Sequence, residues 1–514
     1  MKYPLGIQSF ESLRNDGYTY VDKTALVYQL VSQGKYYFLS RPRRFGKSLL
    51  ISTFEAFFKG QKALFDGLAI SQLEKEWKEY PVLHIDLNAK DYTAPEAVDE
   101  ELNKHLEYWE KAYGDEYKDR KPEERFQHVI DKIFEKTDKP VVILVDEYDK
   151  PLLQTMDNRE LQDAHRRQLK AFYSVVKTMD AKIRFAFFTG VTKFSKVSVF
   201  SDLNNLTDIT MDQRFATLCG ITEHEIRNQF DGEVQLMGEA NAMNKDECYT
   251  KLKMLYDGYH FCEHSTGVYN PYSLLNALSS RQFRDFWFET GTPTILVEAL
   301  KHNSYNLGQL THEEVTADLM GSIDSMDVNP VPLLYQSGYL TVKGYDSEFA
   351  VYHLGFPNKE VERGFTRFLI PYYTPVKEQQ SPMFVVNYVK DVREGHPRQF
   401  MQRLEALFAG GNYQIVGDTE LYFQNALYVI FQMMGLYTDV EHHTTDGRID
   451  MLVKTANYIY IIECKIDKSA EEALQQIEDK QYAKPFEHDG RTIFKIGINF
   501  SSKTRRMDGW KMAE

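Results

Sequence analysis

A junction between a strand and a helix near the start of the chain limits the possible folds more than any other feature. Residues 36–39 form a short apolar run, and apolar residues recur at helical spacing over 49–58. The loop between them ends in Gly46-Lys47-Ser48. A strand that passes through such a loop into a helix is a unit of parallel α/β sheets, so an α/β fold is predicted here.

Three later apolar runs continue this alternation of strand and helix. They cover residues 82–87, 141–145 and 183–188, and helix-rich stretches separate them. Residues 1–220 are therefore predicted to form one domain, in which helices cover both faces of a parallel sheet.

The pattern becomes mainly helical beyond Gly220. The stretch from Thr222 to Glu225 has the sequence of a capping box, which opens a helix. Residues 339–342 and 350–354 indicate a hairpin that follows the helices. We therefore predict a helical, winged-helix-like module over 221–370, and we interpret 370–382 as a linker because of its prolines.

The last part of the chain is predicted to form a smaller α/β domain over 383–514. Helices to about residue 435 precede a pair of strands at 449–453 and 458–465. A helix over 470–484 and a strand over 492–498 complete the predicted domain.

Composition narrows the range of functions. A chain of 514 residues is too long for one core, which fits roughly two to four domains. No apolar run is long enough to cross a bilayer, so we expect a cytoplasmic protein with no membrane partner.

The four cysteines form no Cys-x-x-Cys pair, which argues against a zinc ribbon. A net charge of −14 disfavours nonspecific binding to nucleic acid, although a nuclease needs only a local basic surface.

The loop before the first helix has the chemistry of a phosphate-binding loop. In such a loop the backbone N–H groups surround phosphate oxygens, the Lys neutralises the β- and γ-phosphates, and the Ser ligates Mg²⁺. Arg41 stands where the pattern G-x-x-x-x-G-K-[ST] has Gly, so the pattern is incomplete. ATP and Mg²⁺ are nevertheless the predicted ligands. The predicted contacts are Arg43, Arg44, Gly46, Lys47 and Ser48.

Two acids follow the apolar run 141–145. This is the Walker B arrangement, in which Asp146 lies near Mg²⁺ and Glu147 polarises the attacking water. Acids also end strands in α/β proteins that bind no nucleotide. Thr189, at the end of the next strand, suits a contact to the γ-phosphate or a simple turn residue.

A second polar group interrupts the apolar strand pair near the C-terminus. Glu463 and Lys465 are two positions apart, so they share one face of their strand. A turn near 455–457 would place Asp450 beside Glu463. Phosphodiester hydrolysis needs carboxylates that hold Mg²⁺ and a Lys that positions water. Surface strands also carry Glu and Lys, but an unpartnered carboxylate in an apolar strand is unfavourable. We therefore predict catalytic roles for all three, with Asp450 and Glu463 as metal ligands.

Four more residues are candidates around this second group. Glu420, at the head of the helix 421–435, is predicted to support catalysis. Gln475 or Gln476, on the helix after the strands, is predicted to contact a substrate phosphate. Tyr482 suits either stacking on the substrate or packing within the domain.

Several short motifs occur in a fixed order along the chain. They are RPRRFGKSL (41–49), DEYDKP (146–151), YDGY (256–259), YNP (269–271), LYQSGYL (334–340), GRID (447–450), ECK (463–465) and QIEDKQY (476–482). This series resembles a bacterial family of AAA-ATPase-like proteins that carry a C-terminal PD-(D/E)XK nuclease-superfamily domain. The resemblance implies an AAA-like P-loop core, a restriction-endonuclease-like C-terminal fold, and an Arg at position 41 as the usual residue.

These features predict an ATPase coupled to a Mg²⁺-dependent nuclease that acts on nucleic acid, with DNA favoured over RNA. The alternative is a nucleotide-dependent signalling or assembly switch whose C-terminal domain binds nucleic acid or protein without cutting. A third interpretation is a binding scaffold in which both centres have decayed. Because AAA-like ATPases often act as rings, a homo-oligomer is expected, with Arg214 as the candidate that reaches a neighbouring subunit.

Overall fold

The structure is a computed structural model of the chain. The residues that it describes are 1–114, 116–194, 199–200, 203, 205–288, 294–310, 313–321, 323, 329–374, 376, 381–409, 419–435, 439–445 and 448–513. For 294, 381–383, 419–420, 439–445 and 448–450 it describes the backbone alone.

The helices and strands of the described residues alternate in the first part of the chain and separate into blocks later. The helices are α1 (Phe10–Asn15), α2 (Thr24–Gln33), α3 (Lys47–Phe58), α4 (Ile70–Leu73), α5 (Ala97–Tyr113), α6 (Pro122–Thr137), α7 (Lys150–Leu153), α8 (Arg159–Thr178), α9 (Glu223–Gln229), α10 (Asp231–Ala240), α11 (Lys245–Tyr256), α12 (Pro271–Ser280), α13 (Thr294–His302), α14 (Ala317–Met320), α15 (Val331–Gln336), α16 (Lys359–Tyr373), α17 (Ser381–Arg393), α18 (Pro397–Ala409), α19 (Thr419–Gly435) and α20 (Ala470–Asp479). The strands are β1 (Tyr36–Ser40), β2 (Val82–Asp86), β3 (Val141–Asp146), β4 (Ile183–Gly190), β5 (Thr207–Asp208), β6 (Glu313–Thr316), β7 (Thr341–Asp346), β8 (Val351–Gly355), β9 (Asp439–Thr445), β10 (Arg448–Lys454), β11 (Tyr458–Ile466), β12 (Thr492–Ser501) and β13 (Arg506–Ala513).

The chain forms two compact units. The first comprises Met1–Gly291 and Glu314–Glu360, and the second comprises Thr292–Glu313 and Val361–Glu514. The predicted domain boundaries at 220, 370 and 383 stay predictions.

The first unit contains the predicted parallel sheet, and a short strand that was not predicted, β5, lies at one edge of it. Its strand order is β2-β3-β4-β1-β5, and every pair is parallel. The residues of β1 and β3 are buried throughout, as their continuous apolar runs require for strands in the middle of a covered sheet. The carboxyl ends of β1, β3 and β4 therefore lie side by side, where open α/β sheets bind ligands.

The helical part of the first unit begins as predicted. The Thr222 side chain accepts a hydrogen bond from the N–H of Glu225, and the Glu225 side chain accepts one from the N–H of Thr222. The predicted hairpin is also present, as the antiparallel strands β7 and β8. A third strand, β6, joins them in the order β6-β8-β7.

The prediction of a linker over 370–382 is wrong at its start. Helix α16 continues through Pro371 to Tyr373. Proline has no N–H, so the helix loses one backbone hydrogen bond at Pro371. Burial of Leu369, Ile370 and Tyr373 stabilises this last turn and offsets that loss. Residues 375 and 377–380 lie outside the described part of the chain, and α17 begins at Ser381.

The second unit contains a mixed sheet of order β13-β12-β11-β10-β9. Strands β11 and β12 are parallel, and the other pairs are antiparallel. Strands β9 and β13 were not predicted. Helix α20 is shorter than predicted and ends at Asp479, and Gln481 has a left-handed backbone (φ 54°) that a continuing helix cannot accommodate.

Helix α20 lies unusually close to the sheet at Gly497 of β12. A Cβ atom at this glycine would lie 2.3 Å from the carbonyl oxygen of Ala470 and 2.6 Å from the amide nitrogen of Leu474. Both atoms belong to the helix backbone and cannot rotate away. The absence of a side chain at Gly497 therefore sets the distance between α20 and the strand pair β11–β12.

We expect Gly497→Ala to lower the free energy of unfolding by about 1–3 kcal/mol, because α20 must move away from the sheet. Urea unfolding followed by circular dichroism measures this change. Gly509→Ala, on the neighbouring strand, is the matched control because no atom lies within 4 Å of its added Cβ. Equal unfolding midpoints for the two variants would contradict the close packing described here.

Candidate active sites

The loop between β1 and α3 is shaped for an anion. Gly46 has a left-handed backbone (φ 90°) and is followed directly by Lys47, the first residue of α3. The buried Lys47 Nζ donates hydrogen bonds to the carbonyl oxygens of Arg41 (3.1 Å) and Pro42 (3.3 Å). The loop thus combines a lysine ammonium group with the amide end of a helix, and both favour phosphate oxygens.

The end of β3 supplies two acids beside this loop. Asp146 is only 4% exposed and is hydrogen-bonded to Ser48, the second residue of α3. Burial and the neighbouring carboxylate of Glu147 raise the pKa of Asp146 to about 6, although the bond to Ser48 and the charge of Lys47 act in the opposite direction. A divalent cation at this position would favour the ionised form.

Glu147 is held in a conformation that is rare for a residue with a side chain. Its backbone is left-handed (φ 54°), and its N–H donates to Asp146 Oδ1 at 3.0 Å. Its Oε1 lies 3.8 Å from Lys47 Nζ. A non-glycine residue in this region costs about 1–3 kcal/mol, and such strain is concentrated at functional sites.

Thr189 lies at the end of β4, the strand between β1 and β3. The residue is fully buried, and its hydroxyl has no hydrogen-bond partner among the described residues. Buried hydroxyls normally have a partner, so this oxygen is available to a ligand. Together with Lys47, Ser48 and Asp146, it gives the donor set that fits a Mg²⁺–ATP complex.

The arginine in place of the first loop glycine has a role that the sequence did not indicate. Arg41 is 1% exposed, and its Nη1 donates to the carbonyl oxygens of Ser40 (2.9 Å) and Thr210 (2.8 Å). It therefore braces the loop from inside. The exposed arginines of the loop are Arg43 and Arg44, so these two can reach a phosphate from solvent.

The second candidate site lies on β11. Glu463 and Lys465 share one face, are both buried, and form an ion pair of 2.7 Å. Lys465 also donates to Gln476 Oε1 on α20. Glu463 Oε2 and Gln476 Nε2 have no partner among the described residues, so an acceptor and a donor remain for a ligand. Asp450 is paired directly with Glu463 across β10 and β11.

The remaining predicted residues are placed differently. Gln475 is exposed and donates to Asp479 at 2.9 Å, whereas Gln476 faces the site. Tyr482 packs, half-buried, against a small core of Ile459, Ile461 and Ile477. The side chains of Asp450 and Glu420 lie outside the described residues, and Glu420 is known only as the second residue of α19.

No three His, Cys, Asp or Glu side chains converge as a metal-binding group among the described side chains, which do not include those of Asp450 and Glu420. None of the described helices has the length and apolarity needed to cross a bilayer. Arg214 is bound within its own chain, to Asp212.

The fold and the two sites define a P-loop ATPase-like unit followed by a nuclease-like unit, and comparisons with known proteins agree with this class. Residues 4–200 match the model of predicted AAA-ATPases, and residues 418–510 match that of the PD-(D/E)XK nuclease superfamily. A protein of Azotobacter chroococcum mcd 1, named "Uncharacterized protein in vnfD 5'region", is 36% identical over 99% of this chain and 98% of its own.

The chain belongs to this family of predicted AAA-ATPases with a C-terminal PD-(D/E)XK nuclease-superfamily domain. Among solved structures, the ORC2 protein of Aeropyrum pernix (ADPNP–ADP complexes) is similar over 65% of this chain and 88% of that chain. The identity is 11% and the TM-score is 0.24.

The raised pKa of Asp146 predicts a pH-dependent stability for the nucleotide-free protein. Between the unfolded value of 3.8 and the folded value of about 6, the folded protein holds a proton that the unfolded chain releases. The free energy of unfolding therefore falls as pH rises through this window. Asparagine does not titrate, so we expect the free energy of unfolding of Asp146→Asn not to fall in this way. Above about pH 6 the variant should be more stable than the wild type, by at most about 3 kcal/mol.

Urea unfolding at a series of pH values from about 4 to 7 measures the difference between the two proteins. Asp66→Asn is the control, since Asp66 is exposed and lies outside the sheet, before α4. A difference between Asp146→Asn and wild type that does not change with pH would refute the assignment.

Proposed function

We propose that this protein is an ATPase whose nucleotide cycle regulates a Mg²⁺-dependent nuclease. The observation that carries the proposal is that each family-matched region holds its own buried group of acid and lysine. In the first region Lys47 lies beside Asp146 and Glu147, and in the second Lys465 lies beside Glu463. A buried charge is unfavourable unless it is paired or binds a ligand. Carboxylates with a shifted pKa are concentrated at functional sites.

In the first site, Ser48 and Asp146 would hold Mg²⁺, and Lys47 would turn from the loop carbonyls to the β- and γ-phosphates. The metal ion, when bound, would withdraw charge from the phosphate oxygens. Glu147 would orient the attacking water and take up its proton. Thr189 would donate its free hydroxyl to the γ-phosphate. Arg43 and Arg44 would approach the phosphates from the open side of the loop.

In the second site, Asp450 and Glu463 would hold Mg²⁺, which supplies a polarised water. Lys465, held between Glu463 and Gln476, would orient that water toward the scissile phosphorus. The free Nε2 of Gln476 would donate to a phosphate oxygen. Glu420 is proposed to support the metal ligands. Substrate contacts by Gln475, which is exposed on α20, and by Tyr482, which packs against the small core, stay predictions.

A local basic surface supports nucleic acid as the substrate in spite of the overall charge of −14. Lys468, Lys503 and Arg506 are exposed and have no ion-pair partner among the described residues. They lie around the carboxyl ends of β11 and β12, where Lys465 is in register with Asn499. Three cations on a site that already contains a lysine would attract a phosphate backbone. DNA is proposed ahead of RNA, and a cytoplasmic homo-oligomer is proposed as the working form.

We expect Lys47→Ala to weaken binding of a fluorescent ATP analogue by about 10- to 100-fold and to remove ATP hydrolysis, because a charged hydrogen bond to phosphate is lost. Fluorescence titration and phosphate release measure the two effects. Lys59→Ala, at the other end of α3, is the control because this lysine is exposed and pairs with Glu55. Wild-type affinity in Lys47→Ala would remove the loop from the ATP site.

We expect Asp450→Ala and Glu463→Gln to reduce cleavage to background and to leave ATP hydrolysis unchanged, because each removes a proposed metal ligand. Labelled DNA and RNA are incubated with Mg²⁺ or Mn²⁺, with and without ATP. Glu478→Gln is the matched control, since Glu478 pairs with Lys495 away from the site. Cleavage that survives in both site variants would contradict the assignment. ATP hydrolysis without cleavage in the wild type would favour the switch.

A further inference from the structure

Three motifs that the proposed chemistry does not use lie in the helical part of the first unit: YDGY, YNP and LYQSGYL. Tyr259 of YDGY and Gly338 of LYQSGYL, together with Phe261, Tyr272 (the residue after YNP) and Trp287, contact the phosphate loop at each of its residues from 41 to 45. These contacts are side-chain and backbone contacts within one compact unit. Apart from the Arg44 guanidinium, they involve no group that is proposed to touch the nucleotide.

The buried side chains of the loop are packed against aromatic rings. The Arg41 guanidinium lies 4.0 Å from the centroid of the Phe261 ring. The ring of Phe45, which is 1% exposed, meets Tyr259 at 4.8 Å and Phe261 at 5.6 Å, both nearly perpendicular. Such edge-to-face pairs contribute attraction beyond burial and fix the orientation of each ring.

The middle of the loop is held at the backbone of Arg43 and at the side chain of Arg44. Trp287 Nε1 donates to the carbonyl oxygen of Arg43 at 3.3 Å, and Arg44 lies 4.8 Å from the centroid of Tyr272. Pro42 packs on Gly338, where an added Cβ would lie 2.6 Å from Pro42 Cβ.

The rings that contact the loop are themselves fixed. The backbone N–H of Trp287 donates to Glu360 Oε1 at 2.8 Å, and Glu360 is 1% exposed. The indole packs on Tyr339 at 4.9 Å. Tyr272 is the second residue of α12, whose first turn is capped by Asn270. The loop is therefore held against a rigid surface.

These contacts offset two unfavourable features of the loop. Arg41 replaces a glycine, and Arg44 has a left-handed backbone (φ 69°) that is unfavourable for a residue with a side chain. We propose that Tyr259, Phe261, Tyr272 and Trp287 form an aromatic clamp, a set of positioning residues that hold loop 41–46 in the shape that accepts the phosphates of ATP. The proposal rests on the proposed ATP site, and it assigns a role to motifs of the helical module.

The clamp also implies a direction of regulation. Any movement of the helical module that displaces these rings changes the affinity of the loop for ATP, and by linkage ATP binding restrains the module. Nucleotide state would thus be transmitted to the helical module through the loop backbone.

The test uses the full-length protein, with Mg²⁺ and the fluorescent analogue mant-ATP. We expect Tyr259→Leu to weaken binding about tenfold through loss of the ring pair, and Trp287→Phe about fivefold through loss of one hydrogen bond. Tyr259→Phe should bind like the wild type, because the Tyr259 hydroxyl has no partner among the described residues. Phe230→Leu is the control for simple destabilisation, since Phe230 lies in the core of the helical module and its ring stacks on Tyr3 and not on a residue of the loop.

Amide hydrogen exchange of residues 41–46 in the nucleotide-free protein is the second measurement. We expect faster exchange in Tyr259→Leu and Trp287→Phe, and unchanged exchange in Tyr259→Phe and Phe230→Leu. Wild-type affinity and wild-type exchange in Tyr259→Leu would overturn the clamp while the ATP site stands. A wild-type protein that binds no mant-ATP would overturn the ATP site instead, and the exchange rates would still decide whether the rings hold the loop.

Discussion

Lys465 and Glu463 form a buried ion pair on one face of β11, and Lys47 lies buried beside Glu147 at the end of β3. Charges in such positions lose most of their hydration, and an isolated buried charge is strongly unfavourable. Each unit must therefore be organised so that its lysine and its acids meet. The arrangement of strands, loops and packed helices around both sites follows from this requirement.

The two units satisfy the requirement by different means. In the first, parallel strands place the ends of β1, β3 and β4 together, so residues far apart in sequence converge without any long side chain. In the second, the two-residue period of a single strand puts Glu463 and Lys465 on one face, and antiparallel pairing brings Asp450 opposite. The close approach of α20 at Gly497 then brings Gln476 to Lys465.

Local patterns were sufficient to predict strands β1 to β4 of the parallel sheet, the capping box at Thr222 and the pairing of Asp450 with Glu463. In each case the information lies in adjacent residues, as hydrophobic period, capping residues or a turn. Strands β5, β6, β9 and β13 were not predicted, because these edge strands are held by pairing with distant segments. The helical turn to Tyr373 was missed because burial outweighed the signal of Pro371. The inward position of Arg41 depends on carbonyl groups at Ser40 and Thr210 and is not visible in the loop motif.

The packing of Gly338 against Pro42 has a consequence for how such chains change over time. A glycine-rich phosphate loop takes its shape from its own residues, so it can be inherited or transplanted as a short segment. The loop described here takes part of its shape from residues in a later module of the chain. Its substitutions are therefore tied to those of that module, and a recombination event between them would separate two parts that fit only each other.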